Sequence, residues 1–315
     1  MIILNAEPRG YSEEGRNILR EVGELREVEC DRAELLRQIG DADVLVVRLG
    51  HRIDDEVLEH AHRLRYIVTA TTGLNHIDLV SATARNVEVL SLRGEREFLE
   101  GLTATAELTW GLLLNLVRRI PAAHSHVVAG EWDRNRFQGV QLKDKVLGVV
   151  GFGRLGRVVA EYGKAFRMKV LAADPYMSDV PSWVEHLTLE ELLPRSDVVS
   201  LHVNLDERTS GFFDRRAFEL MKPGALFLNT SRGELVEEVG LLDSLVSGKL
   251  AGAALDVLVG EAEKQPGWPK NSQVWQYASR NDNLLLTPHI GGLTDESLSR
   301  AEVFMANKLK QHIRG

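Results

Sequence analysis

"VLGVVGFGRLGRVVAEYGKAF", residues 146–166, is the stretch whose reading decides the fold. An apolar run ends at Gly151, Gly153 and Gly156 complete a G-x-G-x-x-G, and an amphipathic stretch carrying Val158 and Val159 follows at once. Strand, tight turn and helix in that order form the phosphate-binding turn of a dinucleotide fold. Gly151 permits the turn, Gly153 lets backbone approach a pyrophosphate, and Gly156 lets helix and strand pack closely. The helix N-terminus, with Arg154 and Leu155 in its first turn, offers free N–H donors and a positive dipole. Eighteen residues beyond Gly156 the run "KVLAADPY" (169–176) ends its apolar part at Asp174. A carboxylate there accepts hydrogen bonds from ribose hydroxyls and repels a 2′-phosphate, which favours NAD over NADP.

Working outward, "DVVSLHV" (197–203), "ALFLNTS" (225–231), "LAGAALDV" (250–257) and "NLLLTP" (283–288) continue the series, giving five or six buried strands. Strands this apolar are covered on both faces, as in a parallel sheet. Upstream, "MIILN", "LREVEC", "DVLVV", "RYIVTA" and "VEVLSL" fall within the first 92 residues with helical patterns between most of them. The alternation predicts an α/β protein with a second parallel sheet. Between the two series, Thr103 to about Ala123 reads as one long helix ended by Pro121. Its apolar content exceeds what one sheet face needs, so it is expected to cross between domains or to pair with a second copy as a homodimer through residues 103–123.

Composition excludes several classes of function. The 315-residue chain carries a formal net charge of −8, which argues against a nucleic-acid or acidic-membrane surface. A single cysteine, Cys30, forbids an intramolecular disulfide and fits a reducing compartment. The apolar run at the N-terminus is too short for a signal peptide, and a cytoplasmic location is the expectation. His60 and His62, like His124 and His126, stand two apart and diverge on a helix, so no metal is expected.

The remaining candidates lie at strand ends. "LFLNTSRGELV" (226–236) places Arg232 just after an apolar strand, where open α/β sheets bind ligands and where a guanidinium can pair with a carboxylate and polarise a keto oxygen. "AGAALDVLVGEAE" (251–263) ends its strand at Asp256, and Glu261 follows five residues on. "NLLLTPHIGG" (283–292) runs a strand into His289, either a core filler or an acid/base group.

In order and at the expected separations, "GVVGFGRLGR", "NTSRGELV", "GAALDV" and "TPHIGG" resemble the D-isomer-specific 2-hydroxyacid dehydrogenases, phosphoglycerate dehydrogenase-like members included. The resemblance runs from about Arg48 to the C-terminus. It implies two Rossmann-like or flavodoxin-like domains: a discontinuous substrate domain, residues 1–100 and 286–315, closing over an NAD-binding domain, residues 101–285. It makes Arg232 the substrate-holding arginine, Glu261 the orienting carboxylate and His289 the acid/base. It also puts His202 beside the adenosine pocket, Thr230 and Asp256 near the nicotinamide side, Thr209 among the cofactor-binding residues, and the backbone of Thr71, Thr72 and Gly73 around the substrate carboxylate. A carboxylate beside His289 stabilises the imidazolium that gives its proton as hydride reaches the keto carbon.

Two departures stand out. Glu261 is followed by Ala262 rather than the family's usual proline, then by Glu263, a rival for the same role. "LRGEREFLEG" (92–101) is longer than the usual connection and carries Arg93 and Arg96. With Arg48 and Arg134, which match substrate-contacting arginines of phosphoglycerate dehydrogenases, they suggest a 2-keto acid bearing a second polar or anionic group. Two other readings use the same motifs. One is an NAD-binding interaction protein of the corepressor type, and the other is a formate dehydrogenase, against which Glu261 argues.

Overall fold

Runs of Val, Ile, Leu and Ala pair into sheets wherever helices can cover both faces, and this chain builds two such sheets. The computed structural model describes every residue except 178, 263–266 and 315. The first sheet contains β1 (Ile2–Asn5), β2 (Glu24–Glu27), β3 (Val44–Val47), β4 (Tyr66–Thr69) and β5 (Glu88–Leu90), all parallel, in the order β2-β1-β3-β4-β5. That is the flavodoxin-like order. Its charged strand ELRE lies at the edge, where one side needs no cover.

The second sheet contains β6 (Val146–Val150), β7 (Lys169–Ala173), β8 (Val184–His186), β9 (Val198–Leu201), β10 (Ala225–Asn229), β11 (Leu250–Leu255) and β12 (Leu284–Leu286). Their order, β12-β11-β10-β9-β6-β7-β8, is the doubly wound Rossmann arrangement, with its topological switch between β6 and β9. It has seven strands where five or six were expected. The addition is β8, a short "VEH" edge strand with two of its three residues exposed, so it lacks the apolar signature of a central strand.

The chain divides into two units, Met1–Leu102 with Leu293–Gly315, and Thr103–Gly292. The second crossing falls at 292/293, seven residues beyond the expected 285/286, because the chain past β12 stays tied to the second unit. Ile290 and Gly291 donate their N–H groups to the Asp256 carboxylate at 2.9 and 2.7 Å. The first crossing lies at 102/103 rather than 100/101.

The expected single helix over residues 103–123 is two helices, Ala104–Arg118 and Ile120–Val128, broken at Arg119, whose φ is +52°. Pro121 does not end a helix; it sits in the first turn of the next one, where no N–H is needed. The surplus of apolar surface is also placed differently from the expectation. Helix Ala104–Arg118 buries Ala106, Trp110, Leu113 and Val117 in the core of its own unit. Exposed apolar side chains lie beyond it instead, at Ile120, Val127 and Val140, with Val128 at 73% and Trp132 at 87%. Among the described residues, no helix is long and apolar enough to cross a membrane.

Candidate active site

The glycine turn shows which demands come from the protein and which do not. Gly151 has φ of +87°, and a Cβ on it would lie 2.5 Å from the His202 carbonyl oxygen. A Cβ on Gly156 would lie 2.1 Å from the Gly151 carbonyl oxygen, so helix Arg154–Ala165 can pack on β6 only without a side chain there. Gly153 is different: its φ of −74° and ψ of −158° suit other residues, and an added Cβ meets no protein atom within 4 Å. The protein itself leaves open space beside Gly153, room for a ligand to dock on the turn. Gly153 is also the N-cap of a 12-residue helix and makes no side-chain cap, so the first-turn N–H groups of that helix can face an anion. Leu155 packs against the second unit's core, and burial holds the Arg154 guanidinium below the usual arginine range.

Around this turn, Asp174 receives the N–H of Phe152 at 2.8 Å and of Tyr176 at 2.9 Å, which fixes its carboxylate at the end of β7. His202 follows β9. Its Nε2 pairs with Ser200 Oγ at 2.8 Å, burial pushes the ring down to about 4, and its buried Nδ1 has no partner among the described residues. A neutral ring with an unmet nitrogen beside the glycine turn fits a polar ligand there. Together these features fit a bound NAD: helix N–H groups for the pyrophosphate, Asp174 for a ribose and His202 alongside. NADH is expected to bind more tightly than NADPH, and Asp174→Ser to narrow the gap; equal dissociation constants in the unaltered protein would count against this role for Asp174.

Thr209 and Thr230 have their hydroxyls engaged within the protein. Thr209 Oγ1 donates to the Asn204 carbonyl at 2.8 Å and receives the Asp206 N–H at 2.7 Å, closing its own turn. Thr230 shares a hydrogen bond of 2.8 Å with Thr109 on the helix beneath.

Three side chains follow the ends of β10, β11 and β12. His289 Nδ1 lies 2.6 Å from Glu261 Oε1, and both side chains are largely covered. Arg232 is the third. Desolvation holds its guanidinium below the usual arginine range, while Glu261 and Glu234 act in the opposite direction. Asn229 shapes its approach, donating to the Arg232 carbonyl at 2.8 Å and accepting the Ser231 N–H at 3.0 Å. Glu263, the rival partner for His289, lies outside the described residues.

Asp256 is held by its own unit. It is 1% exposed, and its carboxylate takes Thr287 Oγ1 at 2.5 Å together with the N–H groups of Ile290 and Gly291. Its carbonyl takes the His289 N–H at 2.8 Å. Burial pushes the carboxyl up against those bonds. The result is a turn that holds His289 at φ +53°, a backbone conformation uncommon outside glycine and one that persists only where the surroundings enforce it. The sequence reading missed the Thr287 and Asp256 pairing, because only the adjacency of β11 and β12 brings the two together.

In the first unit, Thr71 Oγ1 donates to the Gly73 carbonyl at 2.9 Å and closes a turn with Thr72 at the end of β4. Arg48 is occupied by its own unit. Its Nη2 donates to the carbonyls of Glu7 at 3.1 Å and Arg9 at 2.7 Å, and its Nη1 stands 3.7 Å from the Glu302 carboxylate, which is fully buried. Removing Arg48 would strand a buried carboxylate, so Arg48→Ala tests stability before it tests substrate recognition. Arg93, Arg96 and Arg134 are exposed, Arg96 opening helix Arg96–Glu100 and Arg134 opening a short 3-10 turn.

Residues 110–291 match the family model described as "D-isomer specific 2-hydroxyacid dehydrogenase, NAD binding domain". The chain is also 33% identical to the hydroxypyruvate reductase of Thermotoga maritima, over 91% of this chain and 90% of that protein. This chain belongs to the D-isomer-specific 2-hydroxyacid dehydrogenase family. Within the family, it is 38% identical to the D-3-phosphoglycerate dehydrogenase of Methanocaldococcus jannaschii over 96% of its own length and 56% of that protein's. It thus spans little more than half the length of the two archaeal phosphoglycerate dehydrogenases it matches. Among solved structures, the D-lactate dehydrogenase of Aquifex aeolicus, complexed with NAD and lactic acid, superposes with a TM-score of 0.85 at 27% identity, covering 100% of this chain and 96% of that one. As a 2-hydroxyacid dehydrogenase family member with this glycine turn, the chain has NAD(H) as its cofactor.

Proposed function

We propose that this protein interconverts a 2-keto acid and a D-2-hydroxy acid. The observation that carries the reading is the His289–Glu261 pair, 2.6 Å apart, within electrostatic reach of a desolvated Arg232. When bound, NAD(H) supplies or accepts the hydride. Arg232 pairs with the substrate carboxylate and polarises the keto oxygen; the low-dielectric surroundings that disfavour its charge strengthen its hold on an anion. Glu261 engages Nδ1 of His289 and so leaves Nε2 to carry the proton to the carbonyl oxygen, or to take it back in oxidation. The Thr71–Gly73 turn of the first unit is a further anion site, since a nest of N–H groups suits a carboxylate. The reading is tested by NADH absorbance with glyoxylate, pyruvate, hydroxypyruvate and phosphohydroxypyruvate. Turnover of none of them, in a protein that binds NADH, would remove it.

For the substrate, relatives named phosphoglycerate dehydrogenase and hydroxypyruvate reductase support a 2-keto acid with a second polar or anionic group. Arg48 carries contacts within its own unit, so Arg93, Arg96 and Arg134 are the arginines whose substitution tests that group most directly. Each charge-assisted hydrogen bond is worth on the order of 1.5–3 kcal/mol, so kcat/KM is expected to favour hydroxypyruvate or phosphohydroxypyruvate over pyruvate. Alanine at one or more of the three positions should erase the preference. A preference untouched by every substitution would dismiss them as substrate residues.

A homodimer is part of the same proposal, formed through residues 120–140 more than through the buried helix before them. Exposed Val128 and Trp132 support it. Sedimentation at micromolar concentration should give twice the chain mass, and Trp132→Glu should halve it; a monomeric unaltered protein would refute the assembly. The proposed setting is the cytoplasm.

A further inference from the structure

Tyr176 and Arg208 have no role in the chemistry above, yet they join two loops that flank the glycine turn. In the second sheet β6 lies between β7 and β9. The loop leaving β7, with Asp174 and Tyr176, and the loop leaving β9, from His202 to Thr209, therefore stand on either side of Gly151 and Gly153. Strands two places apart are about 10 Å from each other. Across that gap Arg208 Nη1 donates to the Tyr176 hydroxyl at 3.2 Å.

Both ends of the bridge are anchored. Asp206 accepts from Arg208 Nη2 at 3.0 Å and from the N–H groups of Arg208 and Thr209 at 2.9 and 3.1 Å. Tyr176 donates its N–H to Asp174, the carboxylate that also receives the Phe152 N–H from the glycine turn. Despite these anchors the Tyr176 residue is 78% exposed. A large, mostly exposed ring held at both ends beside the glycine turn gains most by covering something flat.

We propose that Tyr176 and Arg208 form a clasp over the adenosine half of the dinucleotide. The proposal rests on the reading that the Gly151–Gly156 turn binds NAD. Asp174 takes the adenosine ribose in such folds, and Tyr176 follows it by two residues, so the ring stands next to the adenine. Tyrosine and guanidinium faces both stack on purines. The hydroxyl bond from Arg208 fixes the ring's position, and Asp206 neutralises Arg208, so the bridge does not offer a free cation to a 2′-phosphate. Tyr176 and Arg208 are thus positioning residues for the adenosine.

The test is calorimetric titration of the whole protein with NADH, NADPH and ADP-ribose, alongside thermal unfolding. Tyr176→Ala is expected to weaken NADH and ADP-ribose alike by about fivefold or more, because the lost contact is a base stack, with the thermal midpoint of the ligand-free protein unchanged. Tyr176→Phe and Arg208→Leu remove the same hydrogen bond from opposite ends. Each should weaken ADP-ribose by a smaller factor, and the double variant by no more than the larger single loss. Unchanged ADP-ribose affinity in Tyr176→Ala would overturn the clasp. So would a loss in Arg208→Leu confined to NADPH, which would mark Arg208 as a phosphate-binding residue. If the unaltered protein binds neither NADH nor ADP-ribose, the NAD-site reading falls and the clasp with it; if it binds both and the variants match it, the clasp alone falls.

Discussion

Replacing His289 by asparagine is expected to lower kcat for 2-keto acid reduction by at least about a hundredfold, within the range that positioned acid/base catalysis supplies, while the dissociation constant for NADH stays near that of the unaltered protein. Asparagine is the informative substitution here. Position 289 has φ of +53°, which asparagine tolerates better than most residues, so the turn held by Asp256 survives and only the proton carrier is lost. Alanine would mix catalytic loss with backbone strain. Glu261→Gln should also lower kcat, by a smaller factor, because a neutral amide still bonds to Nδ1 but no longer stabilises the imidazolium. Retention of most turnover by His289→Asn would mean that the proton comes from elsewhere and that the pair is structural. A Glu263→Gln variant that loses activity while Glu261→Gln keeps it would reassign the carboxylate.

Gly233→Ala should damage both stability and rate. A Cβ at this position would lie 2.3 Å from the carbonyl carbon of Leu258 and 2.4 Å from the nitrogen of Val259. Those are backbone atoms, so no side-chain rotation relieves the clash. The loops carrying Arg232 and Glu261 must move apart. Overpacking of this kind costs about 1–3 kcal/mol, sometimes more. A displacement near 1 Å in positioned groups costs on the order of a hundredfold in rate, so kcat/KM is expected to fall by that order. Thermal unfolding and steady-state kinetics on one preparation measure both. An alanine variant with the original midpoint and kcat/KM would show that these loops yield, and that Arg232 does not depend on their close approach.

Much of this architecture is legible in the sequence because it is written in local patterns. The spacing of Gly151, Gly153 and Gly156 between an apolar strand and an amphipathic helix specifies a turn whatever surrounds it, and ten of the strands bear their apolar runs in sequence. Arg232, Glu261 and His289 were picked out by their position after such runs and by resemblance to a family. Where the structure adds to or differs from that reading, the deciding feature lies outside the local pattern. Arg48 reads as a free arginine at a strand end, but Glu7 and Glu302, 41 and 254 positions away, claim its guanidinium. The helix over residues 103–123 reads as continuous, because nothing in its periodicity marks the left-handed Arg119.

The sequence by itself determined the α/β class, the dinucleotide turn and the candidates for the reactive side chains, since these follow from residue type and from periodicities only a few residues long. Only the tertiary structure decided that Asp256 serves as the anchor of the His289 turn, that β8 completes a seven-stranded sheet, and that Glu261 stands 2.6 Å from the imidazole. Each of these depends on which strands lie side by side. Strand order is set by how helices cover a whole sheet, and no stretch of sequence short enough to read for its pattern contains that information.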